Sequence, residues 1–175
     1  MKYYKAILMD PPWYEIGGGR IRRGADRHYP LLKLHEIIEV IHKSGVFRPD
    51  PNGCHLYLWV TNNHLIDGLK LIDALGFRYI TNLVWVKDRF GLGQYFRGQH
   101  ELCLFAVKGR LPPKVRNIST VINAKRREHS RKPDEIYDII ETVSPGPYLE
   151  MFARRLRPGW DVWGNEVPET HATNG

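Results

Sequence analysis

The sequence predicts an α/β fold, a mainly parallel sheet with helices on both faces. Short apolar runs alternate along the chain with segments of helical periodicity, and this alternation is typical of β-α-β units. Hydrophobic residues make up 42% and charged residues 26% of the 175 residues, which are the proportions of an ordinary globular protein. We expect one domain over residues 1–168 and a frayed tail over residues 169–175.

The first predicted strand, Lys5–Met9, must end at Asp10 because Pro11 and Pro12 cannot donate to a sheet ladder. The turn that follows carries a carboxylate and the large ring of Trp13 at the carboxyl end of a strand. In open α/β sheets, ligands bind at that edge. The structural alternative is a simple strand terminator followed by a chance tryptophan.

A glycine-rich, basic segment follows this turn. Gly17–Gly19 impose no side-chain constraint, and Arg20, Arg22 and Arg23 come directly after them. Guanidinium groups match the geometry of phosphate oxygens, so these arginines are candidate phosphate ligands. A solvated surface loop is the alternative interpretation.

The rest of the chain alternates between the two element types. A stripe of Leu34, Ile37 and Ile41 predicts the first helix, and proline followed by two acids predicts the start of the third. We expect helices at Lys33–Ser44, Asn63–Leu75 (capped by Thr61 or Asn62) and Pro133–Val143. We expect further strands at His55–Val60, Arg78–Lys87, Glu101–Lys108, Tyr148–Ala153 and Asp161–Trp163.

The segment Gly109–Arg131 is long, polar and basic, and a structureless loop of this length in a compact domain is usually functional or disordered. Gly91, Gly93 and Gly98 do not form a dinucleotide fingerprint, because the spacing is one residue too long and no helical pattern follows.

The formal charge of +7 favours a polyanionic partner. Cys54 and Cys103 lie in or beside apolar runs, which suits a reduced cytoplasmic protein without disulfides or a zinc pattern. His35 and Glu36 lack the H-E-x-x-H spacing, so we expect no metal site. No apolar stretch approaches the roughly 20 residues of a membrane span, so we expect no membrane partner.

Asp10–Trp13 resembles the D/N-P-P-Y/F/W signature of amino-group adenine methyltransferases. Blocks further along the chain, in the family's order, extend the resemblance to the MT-A type, which includes the catalytic subunit of the eukaryotic mRNA adenosine methyltransferase and bacterial and phage DNA enzymes. These blocks are Leu58–Thr61, Val84–Lys87, Lys132–Tyr137, Ser144–Gly146, Glu150–Arg154 and Trp160–Asn165.

The resemblance implies a Rossmann-like fold with permuted motif order, and methyl transfer from S-adenosylmethionine to adenine N6. Asp10 and the carbonyl of Pro11 would each accept one N6–H, Pro12 would make the turn rigid, and Trp13 would stack on the base. A carboxylate at Asp10 would also favour the cofactor's sulfonium charge.

The resemblance also supplies binding residues. It implies cofactor contacts at Asp10, Lys132, Phe152, Arg154, Asn165 and Glu166, the last in place of a glutamine. It implies substrate contacts at Tyr29, Trp59, Trp85 and Lys87, beside the arginines Arg20, Arg22 and Arg23.

We expect a nucleic-acid substrate, with DNA favoured and RNA as the alternative, in the cytoplasm of a prokaryote or phage host. A catalytically silent nucleic-acid-binding subunit is the rival class, and a homodimer or heterodimer completing the basic loops is a further possibility.

Overall fold

The computed structural model describes residues 1–14, 31–128 and 131–164. These residues form one seven-stranded sheet and three α-helices. The strands are β1 (Ala6–Met9), β2 (Gly53–Val60), β3 (Arg78–Val86), β4 (His100–Gly109), β5 (Val121–Asn123), β6 (Tyr148–Met151) and β7 (Trp160–Trp163). The helices are α1 (Leu34–Lys43), α2 (Leu65–Ala74) and α3 (Glu135–Val143). None of these described helices has the length and apolar character needed to cross a membrane.

The sheet order is β5-β3-β4-β2-β1-β6-β7. Neighbouring strands are parallel except around β4, which runs antiparallel to both β2 and β3. The predicted mainly parallel α/β sheet is therefore confirmed. The amino end of β4 consequently lies at the same edge as the carboxyl ends of β1, β2, β3 and β6.

Helices cover both faces of the sheet, as predicted. On one face, α1 and α2 share a core with β1 and β2, formed by Ile37, Ile41, Leu71, Ile72, Ile7, Met9, Leu56 and Leu58. On the other face, α3 packs through Ile136 and Ile140 into a cluster with Leu8, Tyr57 and Trp59. Side chains of β1 alternate between the two clusters, which explains why the whole strand is buried.

Several predicted boundaries need correction. The second helix begins with a 3-10 turn, Asn62–His64, and Thr61 makes no side-chain capping hydrogen bond to it. The strand β6 ends at Met151 instead of Ala153, because Phe152 adopts a φ of 61°. The basic segment 109–131 is not structureless within its described residues, since it contains β5, which pairs with the end of β3. The predicted tail 169–175 lies outside the described residues.

Candidate active site

Backbone hydrogen bonds fix the turn that follows β1. The amide of Trp13 donates to the carbonyl of Pro11 at 3.0 Å, and the amide of Leu32 donates to the carbonyl of Pro12 at 2.7 Å. The amide of Tyr14 donates in return to the carbonyl of Leu32, also at 2.7 Å. Asp10 therefore stands between a buried strand and a turn that is held on both sides, so its carboxylate has little freedom to move.

Charged side chains alternate in sign around Asp10. Lys132 Nζ lies 3.7 Å from Asp10 Oδ2 and 2.8 Å from Glu101 Oε2. Glu101 Oε1 in turn accepts from Lys87 Nζ at 3.0 Å. We call Asp10, Lys132, Glu101 and Lys87 the charge cluster. It joins the ends of β1 and β3, the start of β4 and the segment before α3.

Burial and pairing act against each other in the charge cluster. Burial raises the pKa of Asp10, and the nearby ammonium of Lys132 opposes that increase. Burial would also raise the pKa of Glu101, but Lys132 and Lys87 outweigh it and the pKa is lowered. Burial disfavours the charged form of Lys132, yet Asp10 and Glu101 together raise its pKa. Glu101 is thus held as a carboxylate and Lys132 as an ammonium at neutral pH.

Two tryptophans lie beneath the charge cluster. Trp59 and Trp85 meet edge to face with ring centroids 6.2 Å apart. Lys132 Nζ is 5.6 Å from the ring centroid of Trp59, and Lys87 Nζ is 4.9 Å from that of Trp85. Both rings are almost fully buried, so they form the floor of the site under the two ammonium groups.

Trp13 packs against neighbouring residues and forms part of the wall of the site. Its ring stacks on that of His64 with centroids 5.5 Å apart and planes 10° apart, and 7% of the residue is exposed. Its Nε1 lies 3.5 Å from the carbonyl oxygen of Trp59. In this conformation little of the ring surface is free to stack on a base.

Two predicted cofactor residues follow β6. Phe152 is buried, has the φ of 61° that ends the strand, and meets Trp163 edge to face at 5.4 Å. Arg154 is half-buried, and its positive charge opposes the increase in the pKa of both Asp10 and Lys132. The structure therefore brings Asp10, Lys132 and Arg154 to one edge of the sheet.

Sequence reasoning missed two carboxylates at this edge. Glu101 is the bridge of the charge cluster. Glu150 lies opposite Leu8 in the β1–β6 register and accepts from the Tyr137 hydroxyl at 2.8 Å. Burial raises its pKa to about 7, and the charge of Asp10 contributes to that increase. A glutamate in or at the start of an otherwise apolar strand is the sequence signal that could have indicated both.

The structure leaves the remaining predicted contacts untested. Arg20, Arg22, Arg23 and Tyr29 fall in the range 15–30, and Asn165 and Glu166 in the range 165–175. Both ranges lie outside the described residues.

The charged side chains at this edge suit the charges of S-adenosylmethionine, which has a sulfonium, an ammonium and a carboxylate. The Asp10 carboxylate, 30% exposed, can face a positive group, and Lys132 can face a negative one. The Lys132 ammonium has three N–H donors; Glu101 Oε2 lies within hydrogen-bond distance of it at 2.8 Å, whereas Asp10 at 3.7 Å is an ion-pair partner only. The ammonium can therefore also donate to a ligand carboxylate.

Comparison with known proteins gives the family. The family model described as MT-A70 matches residues 4–166. The chain is 31% identical to the type II methyltransferase M.MunI of Mycoplasma sp over 191 residues, covering 96% of this chain and 79% of that protein. It is 34% identical to the N(6)-adenosine-methyltransferase catalytic subunit METTL3 of Homo sapiens, covering 96% of this chain and 29% of the relative.

A probable N(6)-adenosine-methyltransferase MT-A70-like protein of Oryza sativa subsp. japonica is 37% identical, over 94% of this chain and 23% of that protein. The chain thus spans most of the bacterial relative and less than a third of the plant and human ones. Methyltransferases of this family depend on S-adenosylmethionine, which confirms the predicted cofactor. The chain belongs to the MT-A70 family of methyltransferases.

Proposed function

We propose that this chain transfers a methyl group from S-adenosylmethionine to the exocyclic N6 of adenine in nucleic acid, with DNA as the favoured substrate. The observation that carries the proposal is the pairing of Asp10 with Lys132, 3.7 Å apart at the carboxyl edge of the sheet. It joins the amine-binding turn to a predicted cofactor residue far along the chain. S-adenosylmethionine supplies an electrophilic methyl on sulfur.

The chain's part in the reaction is to orient a poor nucleophile. The lone pair of N6 is delocalised into the adenine ring, so the amine must be held with its two hydrogens fixed. Asp10 accepts one N6–H. The carbonyl of Pro11 already accepts from Trp13 at 3.0 Å, and its second lone pair is the acceptor for the other N6–H. Because the turn is rigid, this alignment costs little entropy.

Asp10 does not have to be a strong base. After methyl transfer the nitrogen is strongly acidic, and a weak acceptor is sufficient to take its proton. Lys132 limits the pKa increase of Asp10, which favours the carboxylate, the form that only accepts hydrogen bonds. Glu101 holds Lys132 from the other side and fixes its direction.

The preference for DNA rests on the similarity to the bacterial type II methyltransferase over most of that protein's length. The chain covers 79% of the bacterial type II methyltransferase but 23% and 29% of the rice and human adenosine methyltransferases. This similarity favours DNA methylation, in the cytoplasm of a prokaryote or phage host. A duplex substrate would require the adenine to be flipped into the site.

The test compares matched substrates. Single-stranded and duplex DNA and RNA of one sequence are incubated with methyl-labelled S-adenosylmethionine, and N6-methyladenine is measured by mass spectrometry. We expect transfer to DNA. Transfer to RNA alone would contradict the DNA assignment, and no transfer to any of them would contradict the activity.

Two variants separate catalysis from folding. Asp10→Ala should abolish transfer while the far-UV and near-UV circular dichroism remain those of the parent. Asp73→Ala, which removes an exposed carboxylate from α2, is the matched control and should keep full activity. Activity retained by Asp10→Ala would refute the role of that carboxylate.

The rival class is a silent subunit that binds nucleic acid without methylating it. The presence of both Asp10 and Lys132, in contact, argues against it. Calorimetric titration with S-adenosylmethionine discriminates the two, because a silent subunit gives no heat of binding.

A further inference from the structure

The segment that connects β3 to β4, residues 88–99, exposes an unusual number of large apolar side chains. We call this segment the aromatic loop. Phe90 is 55% exposed, Leu92 60%, Phe96 85%, and Tyr95 has full solvent exposure. Single exposed apolar residues are ordinary on protein surfaces, but a contiguous group of them indicates a binding surface.

The aromatic loop is held in one shape by its backbone. The amide of Gly91 donates to the carbonyl of Gly98 at 2.7 Å, and the amide of Gly98 donates to that of Leu92 at 3.1 Å. Gly93 must be glycine, because a Cβ there would lie 2.1 Å from the carbonyl oxygen of Phe96. The rings are therefore presented by a defined turn.

Tyr95 is at the centre of that turn. Its φ is 60°, and the amide of Phe96 donates across it to the carbonyl of Gln94 at 2.6 Å, which forms a γ-turn. A tyrosine in this conformation is strained, and such strain concentrates at functional sites. The turn directs the whole tyrosine side chain into solvent.

The aromatic loop begins and ends at the candidate active site. The amide of Lys87, which precedes the loop, donates to the carbonyl of Gln99, its last residue, at 2.9 Å. Lys87 belongs to the charge cluster, and Glu101 lies two residues beyond Gln99. The loop therefore extends from the edge of the sheet at which Asp10 is placed.

Basic side chains surround the exposed rings. Arg89 and Arg97 belong to the aromatic loop, and the guanidinium of Arg97 lies 4.8 Å from the ring centroid of Phe90. Lys125 and Arg126 are exposed beside it, since the amide of Arg126 donates to the Asp88 carboxylate at 2.9 Å. That bond occupies the one acidic group of the aromatic loop.

We propose that the aromatic loop binds the nucleic-acid strand next to the target adenine. Tyr95 and Phe96 stack on neighbouring bases, and Arg89, Arg97 and Arg126 face the phosphates. Exposed aromatic rings interleaved with cations are the arrangement that binds single-stranded nucleic acid. A second copy of this chain is a poorer occupant, because a symmetric contact would bring the same arginines together. The proposal rests on the proposed function above.

The test measures binding of a fluorescein-labelled single-stranded DNA oligonucleotide containing adenines, and of RNA of the same sequence, by fluorescence anisotropy at fixed salt. We expect Tyr95→Ala and Phe96→Ala each to weaken binding of the preferred strand about 5- to 150-fold, the range for losing one base stack. Tyr95→Phe should keep the affinity. The control is Tyr79→Ala, an exposed tyrosine near the opposite end of β3.

Two further measurements make the outcomes distinct. Calorimetric affinity for S-adenosylmethionine should be the same in all variants, and light scattering should give the same mass. Unchanged oligonucleotide affinity in the Tyr95→Ala, Phe96→Ala double variant overturns the proposal, and a change of mass alone would assign the loop to a protein interface. If either of these results is found and the parent still methylates its substrate, the proposed function stands. A parent that neither binds nor methylates nucleic acid overturns both.

Discussion

The half-buried carboxyl of Glu150 predicts a stability that falls as the pH rises. Burial raises its pKa to about 7, although the hydrogen bond from the Tyr137 hydroxyl, whose oxygen lies 2.8 and 3.0 Å from the two carboxyl oxygens, opposes the increase. The folded chain therefore binds this proton more tightly than the unfolded chain does. The stabilisation is complete below a pH of about 4.5 and is lost as the pH passes through about 7.

The size of the effect follows from the two pKa values. A pKa near 7 in place of 4.5 corresponds to at most about 3 kcal/mol of unfolding free energy. That figure is an upper limit because the side chain keeps part of its contact with solvent. The variant is Glu150→Gln, which stays neutral at every pH and still offers Tyr137 an oxygen acceptor.

Urea unfolding of the parent and of Glu150→Gln from pH 5 to pH 8 measures the difference. We expect the parent to lose at most about 2.5 kcal/mol relative to the variant over this range, because part of the change lies below pH 5. Glu135→Gln, at an exposed position in the first turn of α3, is the control and should follow the parent. Parallel pH profiles for the parent and Glu150→Gln would refute the assignment.

Three other changes have expected outcomes. Lys132→Met leaves the carboxylates of Asp10 and Glu101 without their shared ammonium, so calorimetry should show at least about tenfold weaker binding of S-adenosylmethionine; unchanged affinity would contradict the cofactor role. Gly68→Ala places a Cβ 2.5 Å from Val60 Cγ1, and urea unfolding should show a loss of about 1–3 kcal/mol, whereas a stabilised variant would be inconsistent with that contact. Burial raises the pKa of the Cys103 thiol, so this thiol should resist iodoacetamide in the native chain until denaturant is added. Mass spectrometry measures the labelling, and rapid labelling of Cys103 in the native chain would show that it is accessible.

The fold was largely predictable because its strands are short apolar runs bounded by turn residues. The sequence pattern located six of the seven strands, but β5 was missed because a strand of three residues, Val121–Asn123, is too short for a periodicity. The reversed direction of β4 was not predicted either. An apolar run buried on both faces reads the same in either direction, and only the pairing with β2 and β3 decides it.

That reversal explains why one site residue was missed. Glu101 stands at the beginning of a strand, and in a wholly parallel sheet it would lie at the edge opposite Asp10. Because β4 is antiparallel, its first residues reach the carboxyl edge, where Glu101 pairs with Lys132 at 2.8 Å. Asp10 and Lys132 were predictable from motifs, whereas the position of Glu101 beside Lys132 depends on the direction of β4.

For Trp13, the contact that the motif suggests differs from the contact in the structure. The motif marks it as a residue of the site and suggests stacking on a base, which requires a free ring face. The ring instead stacks on His64, and the backbone on either side of it forms the hydrogen bonds that hold the turn. In the proposed reaction such a residue would act by fixing Asp10 and the Pro11 carbonyl, and stacking on the target base would require the ring to leave His64.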